Sequence, residues 1–291
     1  MGRPARDAAT SSRRDWVRSP YLTPNRHDNL AGVNARSSLV RGRLNALVGR
    51  IVAGSDGSAS ALAAIEWAAG EAERGGSSLH VVAHQTRESV LEAAVGADLL
   101  VVDAANLQQL LSSTSSAGAR RSSCPVIVVR GRVEQPLRRI VVGVDGSNAS
   151  ANALDWAVDE ACFHDAELVI VHAWPPTGGG DHSTRSDDLD RSDAQCSVDV
   201  SVRHCEKRME RRVSGELIEG DPGVVLTAMS TGADLIAVGS RGRSGFTTLL
   251  LGSVAVTVSD CARCPVAIIH PRNRVAQSGR LDSGREYERI A

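Results

Sequence analysis

The residues best placed for chemistry are small and polar. Gly239-Ser240-Arg241-Gly242 follows an apolar run, and nine residues further on Gly252-Ser253 opens a segment. Gly239 and Gly242 allow a tight turn and close approach of backbone N–H groups to a ligand. Gly252 and Ser253 put free N–H groups, the positive end of a helix and a hydroxyl at one point, which suits a phosphate. Arg241 and Arg243 add positive charge. Asp145, at the end of another apolar run, can accept hydrogen bonds from a ribose. A glycine turn alone would only connect a strand to a helix. The turn, the Gly-Ser pair and Asp145 together point to a nucleotide.

The elements that must position these residues come in two copies. Ile51 to Ser58 reappears as Ile140 to Ser147, an offset of 89 residues, and Glu66-Trp67-Ala68 aligns with Asp155-Trp156-Ala157. Further on, Gly96-Ala97-Asp98-Leu99 matches Gly232-Ala233-Asp234-Leu235, and Cys124-Pro125-Val126 matches Cys264-Pro265-Val266. Between its second strand and the Gly-Ala-Asp-Leu segment, the second copy carries 47 residues that the first lacks. Each copy opens with an apolar run ended by Asp-Gly-Ser, which reads as a buried strand and a turn. Ser58 or Ser147 can cap the helix that follows. Apolar spacing at Leu62, Ile65, Trp67 and Ala69, and at Leu154, Trp156 and Val158, marks those helices. A β-branched run comes next, so each copy begins as a βαβ unit with parallel strands. The second copy then predicts a polar loop from Pro175, a charged helix up to about Arg212 and strands near Val213–Ile218, Asp234–Val238 and Val266–Ile269. That makes five strands against about four in the first copy. In an open parallel sheet the ligand crevice lies at the carboxyl ends of the strands, where Asp145 and Gly239 both fall.

The 291 residues fit two domains. Apolar residues are 42% and aromatics 3%, so the core is built from Val, Leu, Ile and Ala. The formal net charge of -1 argues against a strongly basic nucleic-acid binder. It is the sum of an Arg-rich leader, residues 1–46, and an acidic remainder. The leader and the polar tail 273–291 lack periodicity and read as disordered. There is no apolar stretch of membrane-spanning length and no secretory h-region, so no membrane partner is expected. Six cysteines are too few to frame a chain of this length, which points to reduced thiols in a cytoplasm.

The sequence resembles the universal stress protein family in its tandem-domain form, over residues 50–130 and 138–272. Gly143-Val144-Asp145-Gly146-Ser147, Val238 to Gly242, Leu249 to Val254 and Cys264-Pro265-Val266 carry the resemblance. The family's ATP-binding pattern of Gly, two residues, Gly, nine residues and Gly-Ser fits the second copy without a gap. The resemblance implies an α/β fold with two tandem Rossmann-like domains of the adenine nucleotide alpha hydrolase-like type. Each would have an open parallel sheet with helices on both faces, at 47–131 (truncated) and 138–272 (complete). It implies ATP as ligand, with or without Mg2+. Asp145 would meet the ribose, and Gly143, Val144 and Ala173 would lie on the adenine side. Gly239, Ser240, Arg241, Gly242 and Arg243 would wrap the ribose and α-phosphate, and Gly252, Ser253 and Val254 would hold the outer phosphates. It also implies pairing of domains through the last strands, Val126–Val129 and Val266–Ile269, here within one chain; a homodimer stays open. The first copy departs from the pattern. Asp103-Ala104-Ala105-Asn106 stands where the glycine turn should be, His84 replaces Ala173, and a Ser-rich region at 112–118 replaces Gly-Ser. The Asp103 carboxylate is expected to repel phosphates, leaving the first copy without ATP.

Other signals are weaker. Cys261-Ala262-Arg263-Cys264 gives at most two metal ligands, ends a helix rather than starting one, and aligns Cys264 with Cys124. No nucleophile-plus-base set, Walker sequence or zinc-protease motif occurs. The expectation is an ATP-binding stress-response protein that signals by occupancy, with no catalytic residues. A slow ATP hydrolase or nucleotidyl transferase on the same site, and an interaction module with an empty cleft, are the alternatives.

Overall fold

A computed structural model describes residues 49–83, 87–107, 124–130, 135–174, 184–242 and 251–270. The leader, the tail, His84, Arg243 and the 112–118 region lie outside them. The first copy supplies β1 (Arg50–Ser55), α1 (Ala59–Gly75), β2 (Ser78–Ala83), α2 (Arg87–Ala93), β3 (Leu99–Asp103) and β4 (Val126–Val129). The second supplies β5 (Arg139–Gly143), α3 (Asn148–His164), β6 (Glu167–Trp174), α4 (Thr184–Glu206) and β7 (Val213–Glu219). It continues with α5 (Pro222–Met229), a short 3-10 turn at Ser230–Gly232, β8 (Leu235–Gly239), α6 (Ser253–Cys261) and β9 (Val266–Ile269).

All nine of these strands form one sheet, in the order β2-β1-β3-β4-β9-β8-β5-β6-β7. Neighbours within each copy run parallel. At the centre β4 and β9 run antiparallel, with Ile127 opposite Ala267. The two open parallel sheets expected from the sequence thus join at the last strands of the two copies into one mostly parallel sheet.

Strand side chains alternate between two apolar layers, as the two-residue period of a strand requires. Ile51, Val101, Ile127, Ile140, Leu168, Leu235 and Ile269 pack under α1, α3 and the end of α4. Val52, Leu100, Val128, Val141, Val169, Ile236 and Ile268 pack under α2, α5 and α6. Helices therefore cover both faces, which explains why the strands read as continuous apolar runs. Each such side chain withdrawn from water stabilises the fold by roughly 1.5–3 kcal/mol.

Ser58 and Ser147 cap α1 and α3 as the sequence indicates, each accepting a backbone N–H three residues on, from Ala61 and Ser150. The buried stripes differ from expectation. Alanines dominate them: Ala61, Ala64, Ala68 and Ala72 on α1, and Ala153, Ala157 and Ala161 on α3. Leu62 is 54% exposed. Small residues let both helices lie close to the sheet, and Trp67 fills the remaining space. The 47-residue difference between the copies supplies α4 and β7, which flank β6. Their absence leaves β2 at the end of the sheet order and largely exposed.

Candidate functional site

The order β7-β6-β5-β8-β9 reverses direction between β5 and β8. Such a switch point opens a crevice at the carboxyl ends of the two strands. β5 ends at Gly143 and leads into Val144-Asp145, while β8 ends at Gly239 and leads into Ser240-Arg241-Gly242. The two segments converge. A Cβ placed on Gly242 would stand 3.0 Å from Asp145 Oδ2, so the carboxylate lies directly against the glycine turn.

Asp145 is held in place by its own turn. Its Oδ1 accepts the Ser147 N–H at 2.9 Å, and its N–H donates to Ser150 Oγ at 3.3 Å. Ser150 is 5% exposed and in turn donates to the Ser147 carbonyl at 2.9 Å. Ser150 is a residue our reading missed. The signal was available: the first copy has Ala61 at the equivalent position. The first copy nevertheless builds a similar turn. Asp56 Oδ1 accepts the Ser58 N–H at 2.8 Å, and the Ser58 hydroxyl and N–H hold that carboxyl below its usual value.

The other anticipated residues divide by role. A Cβ on Gly239 would meet the first turn of α3, at 2.8 Å from the Ala149 carbonyl carbon and 2.9 Å from Ser150 N. Gly239 is thus required by close packing of strand end and helix start. At Gly143 an added Cβ would lie 2.7 Å from Cδ1 of Leu226 on α5, so that side chain would have to shift. The Val144 N–H donates to the Val171 carbonyl at 2.9 Å, and Ala173 lies half-buried on β6 opposite Ile218. Ser240 is 1% exposed, so its hydroxyl turns inward. Its backbone ties the site together: its N–H donates to Ile269 and its carbonyl accepts the Gly252 N–H, both at 2.8 Å. Arg241 is half-buried and Gly242 exposed. Val254 packs into the apolar layer beneath α6.

The start of α6 differs from those of α1, α3 and α5. Asp221 caps α5 as Ser58 and Ser147 cap α1 and α3. Gly252, the residue before α6, makes no side-chain cap among the described residues. First-turn N–H groups without a side-chain acceptor are donors for an anion. Exposed Ser253 adds its hydroxyl at that point.

The corresponding place in the first copy is built differently. Asp103, aligned with Gly239, is fully buried. Its Oδ1 accepts the N–H groups of Ala105 at 2.8 Å and Asn106 at 3.0 Å, and its Oδ2 accepts Asn106 Nδ2 at 2.6 Å. We expected a carboxylate facing a cleft. Instead, the carboxylate turns inward and takes up donors of its own turn.

An open α/β sheet with a glycine turn at its switch point defines a doubly wound class of protein. Within that class, residues 136–270 match the model of the Universal stress protein family. Universal stress protein Rv2005c of Mycobacterium tuberculosis is 35% identical over 168 residues, 55% of this chain and 56% of the relative. A universal stress protein of Mycolicibacterium smegmatis is 31% identical over 196 residues, 63% of this chain and 65% of the relative. These alignments span a little over half to about two thirds of those relatives' length. A crystal structure named for this family from Pseudomonas aeruginosa UCBPP-PA14 shares the fold. It has a TM-score of 0.52 and 17% identity, and the match covers 79% of this chain and 95% of that one. Residues 136–270 of the chain are a domain of the universal stress protein family.

Proposed function

We propose that the second copy binds ATP and that the protein acts in a stress response through nucleotide occupancy. The observation that carries this reading is the meeting of Asp145, the 239–242 turn and the uncapped start of α6 at one switch point. ATP fits these groups. Asp145 accepts hydrogen bonds from the ribose hydroxyls, Gly239 to Gly242 leave room for the sugar and α-phosphate, and the Ser253 N–H and hydroxyl donate to the outer phosphates beside Gly252, whose own N–H is held by the Ser240 carbonyl. Each N–H donated to a charged oxygen contributes about 1.5–3 kcal/mol. Arg241 and Arg243 add screening charge, and Mg2+ travels with the phosphates. Gly143, Val144 and Ala173 border the adenine side.

On this reading residues 47–131 are a truncated domain that holds no ATP, because Asp103 takes up the N–H groups its turn would otherwise offer to a phosphate. Residues 138–272 are the complete domain. The β4–β9 seam makes the chain a built-in pseudo-dimer, and the protein works in the cytoplasm. The site holds ATP without a committed general base, so occupancy rather than turnover is its output. Denaturing the purified protein and chromatographing the released nucleotide tests the reading; ATP at up to one per chain is expected. Steady release of ADP or AMP, abolished by Ser253→Ala, would make the protein a slow hydrolase or nucleotidyl transferase instead.

A further inference from the structure

In the second copy α4 and β7 flank β6, and Leu168, Val169, Ile170 and Val171 of that strand are all buried. The 89-residue offset carries these four onto Leu79, His80, Val81 and Val82 of β2. No counterpart of α4 or β7 stands beside β2 among the described residues. Val81 is therefore 41% exposed where Ile170 is wholly buried, His80 is exposed, and Leu79 and Val82 are half-buried. A strand with the apolar make-up of an interior strand ends the sheet. One flank of α1 continues the apolar strip. Glu71 marks the flank toward the second copy, since its Oε1 accepts Gln135 Nε2 at 2.9 Å. Leu62, Ile65 and Ala69, three and four residues apart, share the opposite flank, on the β2 side. Ile65 and Leu79 both border the apolar layer beneath α1.

The outer edge of β2 presents a regular row of backbone groups. The Ser78 N–H donates to the Gly49 carbonyl at 3.1 Å, so by the alternation of a strand Ser78, His80 and Val82 face β1. The N–H and C=O groups of Leu79, Val81 and Ala83 point the other way, where the sheet order has no further strand. Sheet edges are ordinarily guarded by charge or proline. β7, at the other end, carries Glu216 and Glu219. From Gly75 to Thr86 there is no Asp, Glu, Lys, Arg or Pro, so β2 has no such guard. Pairing β2 with β7 of another chain would repeat head to tail without closing, whereas β2 against β2 closes as a two-fold dimer. The chain already joins its own copies in this manner, through the uncharged strands β4 and β9 run antiparallel in the same sheet.

We propose that β2 and the apolar flank of α1 are the docking surface for a second copy of this chain, strand against antiparallel strand. The register follows from the outward groups. A two-fold axis normal to the sheet keeps each face on its own side, so only residues pointing to the same face stand opposite each other. Centred on Val81, the axis sets Val81 opposite the second copy's Val81 and Leu79 opposite its Ala83. All the outward residues then fall in pairs that exchange both backbone hydrogen bonds. Centring on His80 loses one such pair and sets two imidazoles side by side. In the favoured register Leu79 and Val81 of both chains form one apolar row, flanked by Leu62 and Ile65 of both α1 helices.

Analytical ultracentrifugation of the full chain at micromolar concentrations is expected to give twice the chain's mass, and Val81→Lys the mass of one chain. A wild-type monomer, or a Val81→Lys dimer, overturns the interface. A covalent readout does not depend on a disruptive variant. Under mild oxidation Val81→Cys should form a disulfide between two chains through residue 81, identified by peptide mass spectrometry. His80→Cys, which faces the other side of the sheet and is offset from its own counterpart, should not. Equal yields from the two variants overturn the pairing. Hydrogen exchange reads the edge itself. In the dimer the outward amides of Leu79, Val81 and Ala83 should exchange as slowly as the inward amides of His80 and Val82. Fast exchange of the outward amides in a dimer overturns the proposal. Slow exchange in a monomer does so too, since another segment of the same chain would then cover the edge.

Discussion

Replacing Gly239 by Ala tests whether the site is built by close approach of the β8 end to the α3 start. The added Cβ would lie 2.8 Å from the Ala149 carbonyl carbon and 2.9 Å from both Ala149 Cβ and Ser150 N. These are backbone and first-turn atoms, so no flexible side chain can move aside. Restoring ordinary contact requires a shift of about 0.5 Å between strand end and helix, in an interior packed as densely as a crystal. Overpacking of this kind costs about 1–3 kcal/mol. At roughly 2–4 °C per kcal/mol for a chain of this size, a cost of about 2 kcal/mol lowers Tm by about 4–8 °C. The same shift disturbs the Asp145 N–H to Ser150 Oγ bond and is expected to weaken the proposed ATP binding. The assay is urea unfolding with the denaturant slope held common, beside calorimetric titration with ATP. Gly232→Ala is the control, because an added Cβ there meets nothing within 4 Å. It is expected to change stability by less than about 0.5 kcal/mol. Equal behaviour of the two variants would refute the packing argument.

Three further outcomes follow from the same geometry. Asp103→Ala leaves three N–H donors in a buried turn without their acceptor. It is expected to lose about 1–3 kcal/mol in urea unfolding without raising ATP stoichiometry; a second bound ATP would show that Asp103 only blocks a working site. Brief alkylation at pH 8 followed by peptide mass spectrometry should label exposed Cys196 and Cys261 and spare Cys205 and Cys264. Burial pushes the last two thiols up to about 11 and about 12, and rapid labelling of Cys264 would contradict their placement. Hydrogen exchange of the β4 and β9 amides should be as slow as that of β8, since the β4–β9 seam closes the sheet. Fast exchange confined to those two strands would remove the seam.

Much of the fold was legible because each copy has a clear two-residue or helical rhythm. The segments read as strands near Val213, Asp234 and Val266 fall on β7, β8 and β9. The buried helix faces were less legible. Sequence favours large apolar residues such as Leu62 and Leu154, whereas the sheet demands alanine where helix and strand come closest. At the site, the pairing of Asp145 with Gly242 follows from two motifs that the sheet order makes neighbours. The role of Ser150 did not stand out, since a buried serine inside a helix looks like any polar residue until its partners are known. Asp103 was misread for a related reason: spacing gives the position of a carboxylate but not the direction it faces.

One copy, and not both, is proposed to hold ATP at the β5–β8 switch point. Calorimetric titration of the nucleotide-free full chain with ATP tests it most directly, run beside Gly242→Glu, which sets a carboxylate against the phosphates and Asp145. Saturation at one ATP per chain is expected in the wild type, with roughly a 10-fold or greater loss of affinity in the variant and the fold retained. Saturation at two per chain, or an unchanged affinity in Gly242→Glu, would contradict it.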